Sequence, residues 1–250
     1  MLHPLDDYPL HQTSQVISLP ATESPNFYDR FFFNGWHPEG DVFFAVAFGV
    51  YPNRQVMDGA FSVVRDGVQH NVRATRTCPD DRTQTSVDPI TITIEEPMRR
   101  HLIQVSDRFG LAADLHYTAM SPAIEEPRFL HVVGNRTRMD YTRLTQFGRW
   151  SGWIELDGER IEIDQTHVGV RDRSWGIRPV GEQPTAPSAA PQFFWIWCPT
   201  VFEDRCTHFA LNHEADGRVW HQSGAVVPRL EDGEPVIDPG RVQRGESATI

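Results

Sequence analysis

Lysine is absent from this chain. All 23 basic side chains are arginine, set against 34 acidic ones, for a formal net charge of −11. Without lysine there is no Schiff-base nucleophile, no pyridoxal anchor and no phosphate-gripping Walker lysine. The arginine-only usage reads as genomic base composition, since arginine serves solubility equally well. No two glycines stand at G-x-G spacing, so the dinucleotide fingerprint is missing. No Gly-x-Ser-x-Gly elbow occurs either, which disfavours that class of serine hydrolase. The acidic balance argues against a sequence-independent grip on nucleic acid, whose affinity rests on basic residues.

Cysteine is scarce. Cys78, Cys198 and Cys206 leave one thiol unpaired whatever happens, and there is no C-x-x-C. Neither a zinc ribbon nor a disulfide framework is indicated. Long apolar runs are missing too. The longest, Val42 to Val50, is far short of the ~20 residues a spanning helix needs. The N-terminus is polar and proline-dotted, unlike a signal peptide. The expectation is a soluble, cytoplasmic protein with no transmembrane segment, no nucleic-acid partner, no metal and no cofactor.

What is present is strand after strand. Apolar or alternating runs fall at 27–36, 42–51, 59–65, 68–76, 87–95, 101–107, 111–119 and 128–134, with turn signals such as Arg65-Asp66-Gly67 between them. A second series falls at 148–156, 159–171, 193–202, 205–213, 218–228 and 235–243. Short, evenly spaced strands with D-G turns mark an all-β barrel or sandwich. The segment 138–146 is the best helix candidate. The reading divides the chain into an N-terminal extension (1–24), a first β-module (25–136) and a second (137–250) carrying a long Pro/Ala-rich loop over 176–192. The second module is short of strands. A homodimer partner, or strands beyond this sequence, would close its open edge.

Two features could carry chemistry. On the strand leading to Trp175-Gly176, alternation puts Thr166, Val168, Val170 and Asp172 on one face, and Gln165, His167 and Arg171 on the other. Asp172 then ends an apolar face beside the Trp175 indole, a setting that raises a carboxyl pKa and suits a general acid. The plainer alternative pairs Asp172 with Arg171 or Arg173. The second feature is a hairpin turning at Glu203-Asp204. Its register sets Val201 opposite Cys206, Pro199 opposite His208, Trp197 opposite Ala210 and Trp195 opposite Asn212. One face then carries Trp195, Trp197, His208 and Asn212, suited to a ligand cavity. The other carries Phe194, Ile196, Cys198, Phe209 and Leu211, which reads as core. Among the aromatics, Phe31 and Phe33 share one face of their strand and Phe32 the other. That pattern predicts burial between a barrel interior and a second module. His37-Pro38-Glu39 has the spacing of a facial triad but no third ligand at a diagnostic position.

A strand ending in Asp172-Arg173-Ser174-Trp175-Gly176, after a Trp150-x-x-Trp153-x-x-x-x-Gly158 strand, resembles the carotenoid 1,2-hydratase and AttH-like family. The likeness is strongest over 148–176. It implies two lipocalin-like antiparallel β-barrels and an apolar ligand of isoprenoid, steroid or lipid type. It also implies chemistry on a double bond (hydration, isomerisation or cyclisation) with Asp172 as proton donor. His208 is then the candidate base. Trp150, Trp175, Trp195, Trp197, Asn212 and His167 are the candidate ligand contacts. The chain departs from the family hydratases at two places: Val170 replaces a tyrosine, and Gly148 a histidine. A non-catalytic lipocalin-like binder remains open beside the enzyme. So does a carbohydrate-active β-sandwich using carboxylates such as Glu155, Glu159 and Glu162, although such an enzyme needs two carboxyls across a cleft.

Overall fold

The structure is a computed structural model and describes residues 12–15, 17–180 and 193–245. Of the loop expected at 176–192, Gly176 and Ile177 end a strand, and 181–192 lie outside the described residues. Much of the expected N-terminal extension lies outside them as well.

The chain is all-β, as its alternation and turns predict. The first sheet is built from β1 (Phe27–Trp36), β2 (Val42–Tyr51), β3 (Val56–Arg65), β4 (Val68–Thr77), β5 (Ser86–Val87), β6 (Ile90–Glu96) and β7 (Arg100–Arg108). It continues with β8 (Leu111–Ala119), β9 (Ile124–Glu125), β10 (Phe129–Val133), β11 (Arg136–Leu156), β12 (Glu159–Ile163) and β13 (Val168–Ile177). The spatial order is β4-β3-β2-β1-β13-β11-β8-β7-β6-β5, and the edge strands β4 and β5 come into contact, so the antiparallel sheet is a nearly closed barrel. Three of its hairpins turn at Asp66-Gly67, Phe109-Gly110 and Asp157-Gly158, each with two successive residues at positive φ. That is the conformation whose twist matches a two-residue hairpin.

The barrel interior is packed. Phe31, Phe33, Phe44, Phe48, Leu115 and Trp150 are among its buried side chains. Trp150 is held edge-on by Phe33, Phe44 and Tyr117 at centroid distances of 5.9, 5.1 and 5.2 Å, and its indole N–H donates to the Asn34 carbonyl at 2.9 Å. The approach is close: a Cβ on Gly148 would stand 2.3 Å from the Tyr117 ring, and one on Gly169 2.0 Å from the Asn34 carbonyl oxygen.

The second sheet is β14 (Phe193–Val201), β15 (Arg205–Glu214), β16 (Val219–Pro228) and β17 (Gln243–Arg244). It is open, and it packs on the outer face of the barrel over β1, β13 and β11. Phe147, Val168 and Val170 meet Cys206, Ala225 and Val227 there. Phe32 points out of the barrel and meets Trp197 edge-on at 6.0 Å, while Phe31 and Phe33 point in. The two-faced aromatic strand is therefore buried on both sides.

Four expectations are corrected. Residues 138–146 are strand, because β11 runs unbroken through them and pairs with β10, β9 and β13; tertiary pairing overrides weak local propensity. The run 159–171 is split by a turn at Asp164–His167 into β12 and β13. Within 235–243 there is only a short 3-10 turn at Pro239–Arg241 before β17. The sheets divide between β13 and β14 rather than near residue 136, since β11 is a central strand of the barrel.

One buried carboxylate ties the layers together. Glu126 follows β9, and Arg143 donates to both of its oxygens at 2.7 Å. Thr145 donates to it at 2.6 Å. His208 of the second sheet lies 3.3 Å away through Nε2. Burial alone pushes the Glu126 carboxyl up. Hydrogen bonds from His208 and Arg143, and the Arg143 charge, outweigh it and hold the group at about 2. Removing one partner of a buried pair costs ~3–5 kcal/mol, so Glu126→Gln is expected to lower the urea-unfolding free energy by about that amount. Because the folded value lies below the ordinary 4.5, the stabilisation is complete above that pH. It is lost as pH falls towards 2, and Glu126→Gln should lack this part of the acid limb in a pH series of urea melts.

Candidate functional site

The layer between barrel and second sheet is not filled throughout. Two adjoining cavities of about 130 and 440 Å³ share Arg30, Tyr141, Arg143, Arg178 and Trp195 as lining. The smaller adds Phe32, Asp172, Ser174 and Trp197, and the larger Met139, Asn212 and Trp220. The larger volume lies at the small end of ligand-sized pockets, ~300–1,000 Å³.

Strand alternation delivers Asp172 to this cavity. On β13, Val168 and Val170 point outward into the inter-sheet core, and Asp172 and Ser174 follow on the same face. Register sets Asp172 between Phe32 of β1 and Thr145 of β11. Among the described residues, no hydrogen bond or ion pair reaches its carboxyl. Burial raises its pKa, the more distant guanidiniums of Arg143, Arg30 and Arg178 pull it back, and Glu126 adds to the rise. The net direction is up.

The alternative pairing of Asp172 with Arg171 or Arg173 is corrected by the pleat. Both neighbours point to the barrel side. Arg171 is buried there and donates to Gln146 Oε1 at 2.9 Å. Arg173 bonds Asp29 and lies 3.8 Å above the Phe31 ring. Trp175 falls on that side as well and is 39% exposed, so the indole beside Asp172 is Trp197 instead.

The hairpin register is the one the turn predicts: Val201–Cys206, Pro199–His208, Trp197–Ala210 and Trp195–Asn212. Trp195, Trp197 and Asn212 line the cavities, with Trp195 52% exposed at the rim. The indole N–H of Trp197 and the amide nitrogen of Asn212 are buried without a hydrogen-bond partner, as is the Trp220 N–H. Buried polar atoms are normally satisfied, so these donors mark a polar edge on an aromatic pocket. The opposite face, expected as core, is the outer surface of the second sheet: Phe194 and Phe209 are 44% and 41% exposed.

The remaining expected residues lie elsewhere. His208 is buried behind the cavity wall, between Glu126 at 3.3 Å and Ser223 Oγ at 3.4 Å. Both contacts use Nε2, so this is not the geometry of a serine–histidine–acid triad, which needs one partner on each ring nitrogen. Trp150 sits in the packed barrel. His167 sits at the other end of β13, 3.2 Å from Asp164 and 5.0 Å from the His37 ring. Glu159 and Glu162 form exposed pairs with Arg65 and Arg160, at 2.7 and 2.6 Å, and Glu155 does not line the cavities. No group of three metal-ligating side chains converges among the described residues.

Glu126, Arg30, Tyr141, Arg143 and Arg178 are absent from the expected site. Part of this was readable. Treating 138–146 as strand puts Tyr141, Arg143 and Thr145 on one face, and that face is the one carrying Asp172. Glu126 had no signal, since a carboxylate in a proline-flanked stretch between strands looks solvated.

Comparisons agree with this architecture. The AttH-like protein NE1406 of Nitrosomonas europaea superposes with a TM-score of 0.59 at 14% identity, over 90% of this chain and 72% of that one. Kievitone hydratase of Nectria haematococca gives 0.54 at 13%, over 86% and 62%. CghA gives 0.50 at 12%, over 82% and 58%. This chain thus spans less than two thirds of the latter two proteins. At such identities the likeness is one of fold. No functionally curated protein matches the sequence. The model of a family of unknown function, DUF8625, matches residues 2–250, and the chain belongs to that family.

Proposed function

We propose that the protein binds an apolar small molecule between its barrel and its second sheet and protonates a double bond of that molecule with Asp172. The observation that carries this reading is a half-buried carboxyl that points into an aromatic-lined cavity and has no hydrogen-bond or ion-pair partner among the described residues. A paired carboxylate is a poor acid. An unpaired one with a raised pKa stays a proton donor nearer neutral pH. The Asp172 O–H would add its proton to one alkene carbon. The cation left on the other carbon would face the rings of Trp197 and Tyr141, where π electrons favour positive charge. Water then adds and returns a proton to Asp172, giving hydration. Loss of a neighbouring C–H proton to Asp172 gives isomerisation instead. His208 touches no ligand space. It would act as a positioning residue, holding Glu126 against Arg143 so that Arg143 does not turn to Asp172.

The fold neighbours support the class of chemistry, since one of them is a hydratase. The residues that distinguish the family hydratases are replaced, and the structure gives the physical reason for one. Tyr117 fills the space a side chain at position 148 would need. The non-catalytic binder uses the same cavity and is separated from the enzyme by the fate of Asp172.

Native mass spectrometry with extraction, on protein purified from its own host, is expected to release a stoichiometric apolar metabolite. Empty protein would contradict the cavity reading. With that metabolite in D2O, wild-type protein should place deuterium on an alkene-derived carbon. Asp172→Asn should slow this by ~10²-fold or more while still binding, and equal turnover would sink the acid role. The same variant should be more stable than wild type at pH 7. A raised carboxyl pKa means that ionising the group costs folding free energy as pH rises. Urea melts of the two proteins check this.

A further inference from the structure

The cavity carries an imbalance of charge that the proposed chemistry alone does not use. Arg30, Arg143 and Arg178 all line it. Glu126 neutralises Arg143 through the bidentate pair. Neither Arg30 nor Arg178 has an ion pair among the described residues. Arg178 lies 5.1 Å over the Tyr28 ring, and Arg30 6.0 Å from the Phe32 ring, so aromatic faces hold both side chains towards the cavity. The carboxylates facing Arg30, Asp172 and Asp58, stand beyond ion-pair distance. Burial raises the pKa of each, so each is a poor counter-ion. Among the described residues, two guanidiniums are thus left without an ion-pair partner, in a protein whose net charge is −11.

Their position matters for the reading above. A carbocation forming near Asp172 would be repelled by two unmatched cations in a water-poor layer, where charges interact more strongly than in bulk solvent. An anion placed between Arg30 and Arg178 removes that penalty, and guanidiniums favour carboxylate and phosphate oxygens through paired N–H donors.

We propose that the ligand of the inter-sheet cavity is an amphiphile. Its carboxylate or phosphate head is held by Arg30 and Arg178, and its unsaturated apolar body runs past Tyr141 and Trp197 to Asp172. This rests on the cavity reading given under Proposed function. It adds the head group, and it makes Arg30 and Arg178 specificity-determining residues.

The test compares three probes with one apolar body: geraniol, geranic acid and geranyl monophosphate, titrated calorimetrically at low ionic strength. At least one charged probe is expected to bind ~10-fold or more tightly than the alcohol, a difference of about 1.4 kcal/mol. Which charged probe binds better tells carboxylate from phosphate. Arg30→Gln combined with Arg178→Gln should erase the preference of the site for a charged probe over geraniol. Single variants should each lose part of it, which guards against a double variant that misfolds. Equal binding of all three probes overturns the head-group proposal and leaves the apolar cavity standing. A preference that survives in the variants also overturns it. Binding of none contradicts the cavity reading itself, and the proposal with it.

Discussion

One buried carboxylate can satisfy only so many cations, and in this protein Glu126 takes Arg143. The rest of the site follows from that pairing. Arg143 and Asp172 project from neighbouring strands on the same face of the barrel, and with Glu126 absent the guanidinium would have Asp172 as its nearest buried anion. Glu126 is bonded by Arg143, Thr145 and His208, so it anchors the second sheet to the barrel while it occupies that guanidinium. Asp172 is left half-buried in the inter-sheet layer with no hydrogen-bond or ion-pair partner among the described residues. The same contact is thus a structural tie and the cause of an unsatisfied acid group. Natural proteins tolerate such a group where it serves a site, at a cost in stability.

The barrel itself has a different role. Its interior is packed with Phe31, Phe33, Phe44, Phe48 and Trp150, and its outer face forms one wall of the inter-sheet layer. The cavities that Asp172 and Asn212 line are on its outside, where the open second sheet covers β1, β11 and β13. Position 148 faces the packed interior, where Tyr117 leaves no room for a side chain. Val170 belongs to the apolar layer between the sheets. The surroundings of Asp172 come from Arg30, Arg143, Arg178 and the tryptophans of β14.

Much of the fold was legible in the sequence because it is local. Asp66-Gly67 and Asp157-Gly158 specify tight hairpins, and Glu203-Asp204 fixed the whole register from Phe193 to Glu214. Period-two alternation placed Asp172 with Val168 and Val170. What was not legible depends on long-range pairing. The strand character of 138–146 comes from partners on both sides of β11. Which face of the second sheet is core depends on where the barrel lies, and hydrophobicity alone pointed to the Phe194–Phe209 face, which is exposed. The Glu126–Arg143–His208 cluster joins residues brought together only by the packing of two sheets, and no spacing rule reaches that far.

Whether Asp172 is an unpaired acid can be measured directly. Its carboxyl resonance, identified by its loss in Asp172→Asn, can be followed by carbon-13 NMR across a pH titration. The expected midpoint lies above the ordinary aspartate value of 3.8 and moves further up when Arg30 is replaced by Gln. A midpoint at or below 3.8 would mean that an arginine holds the group ionised, and would contradict the account.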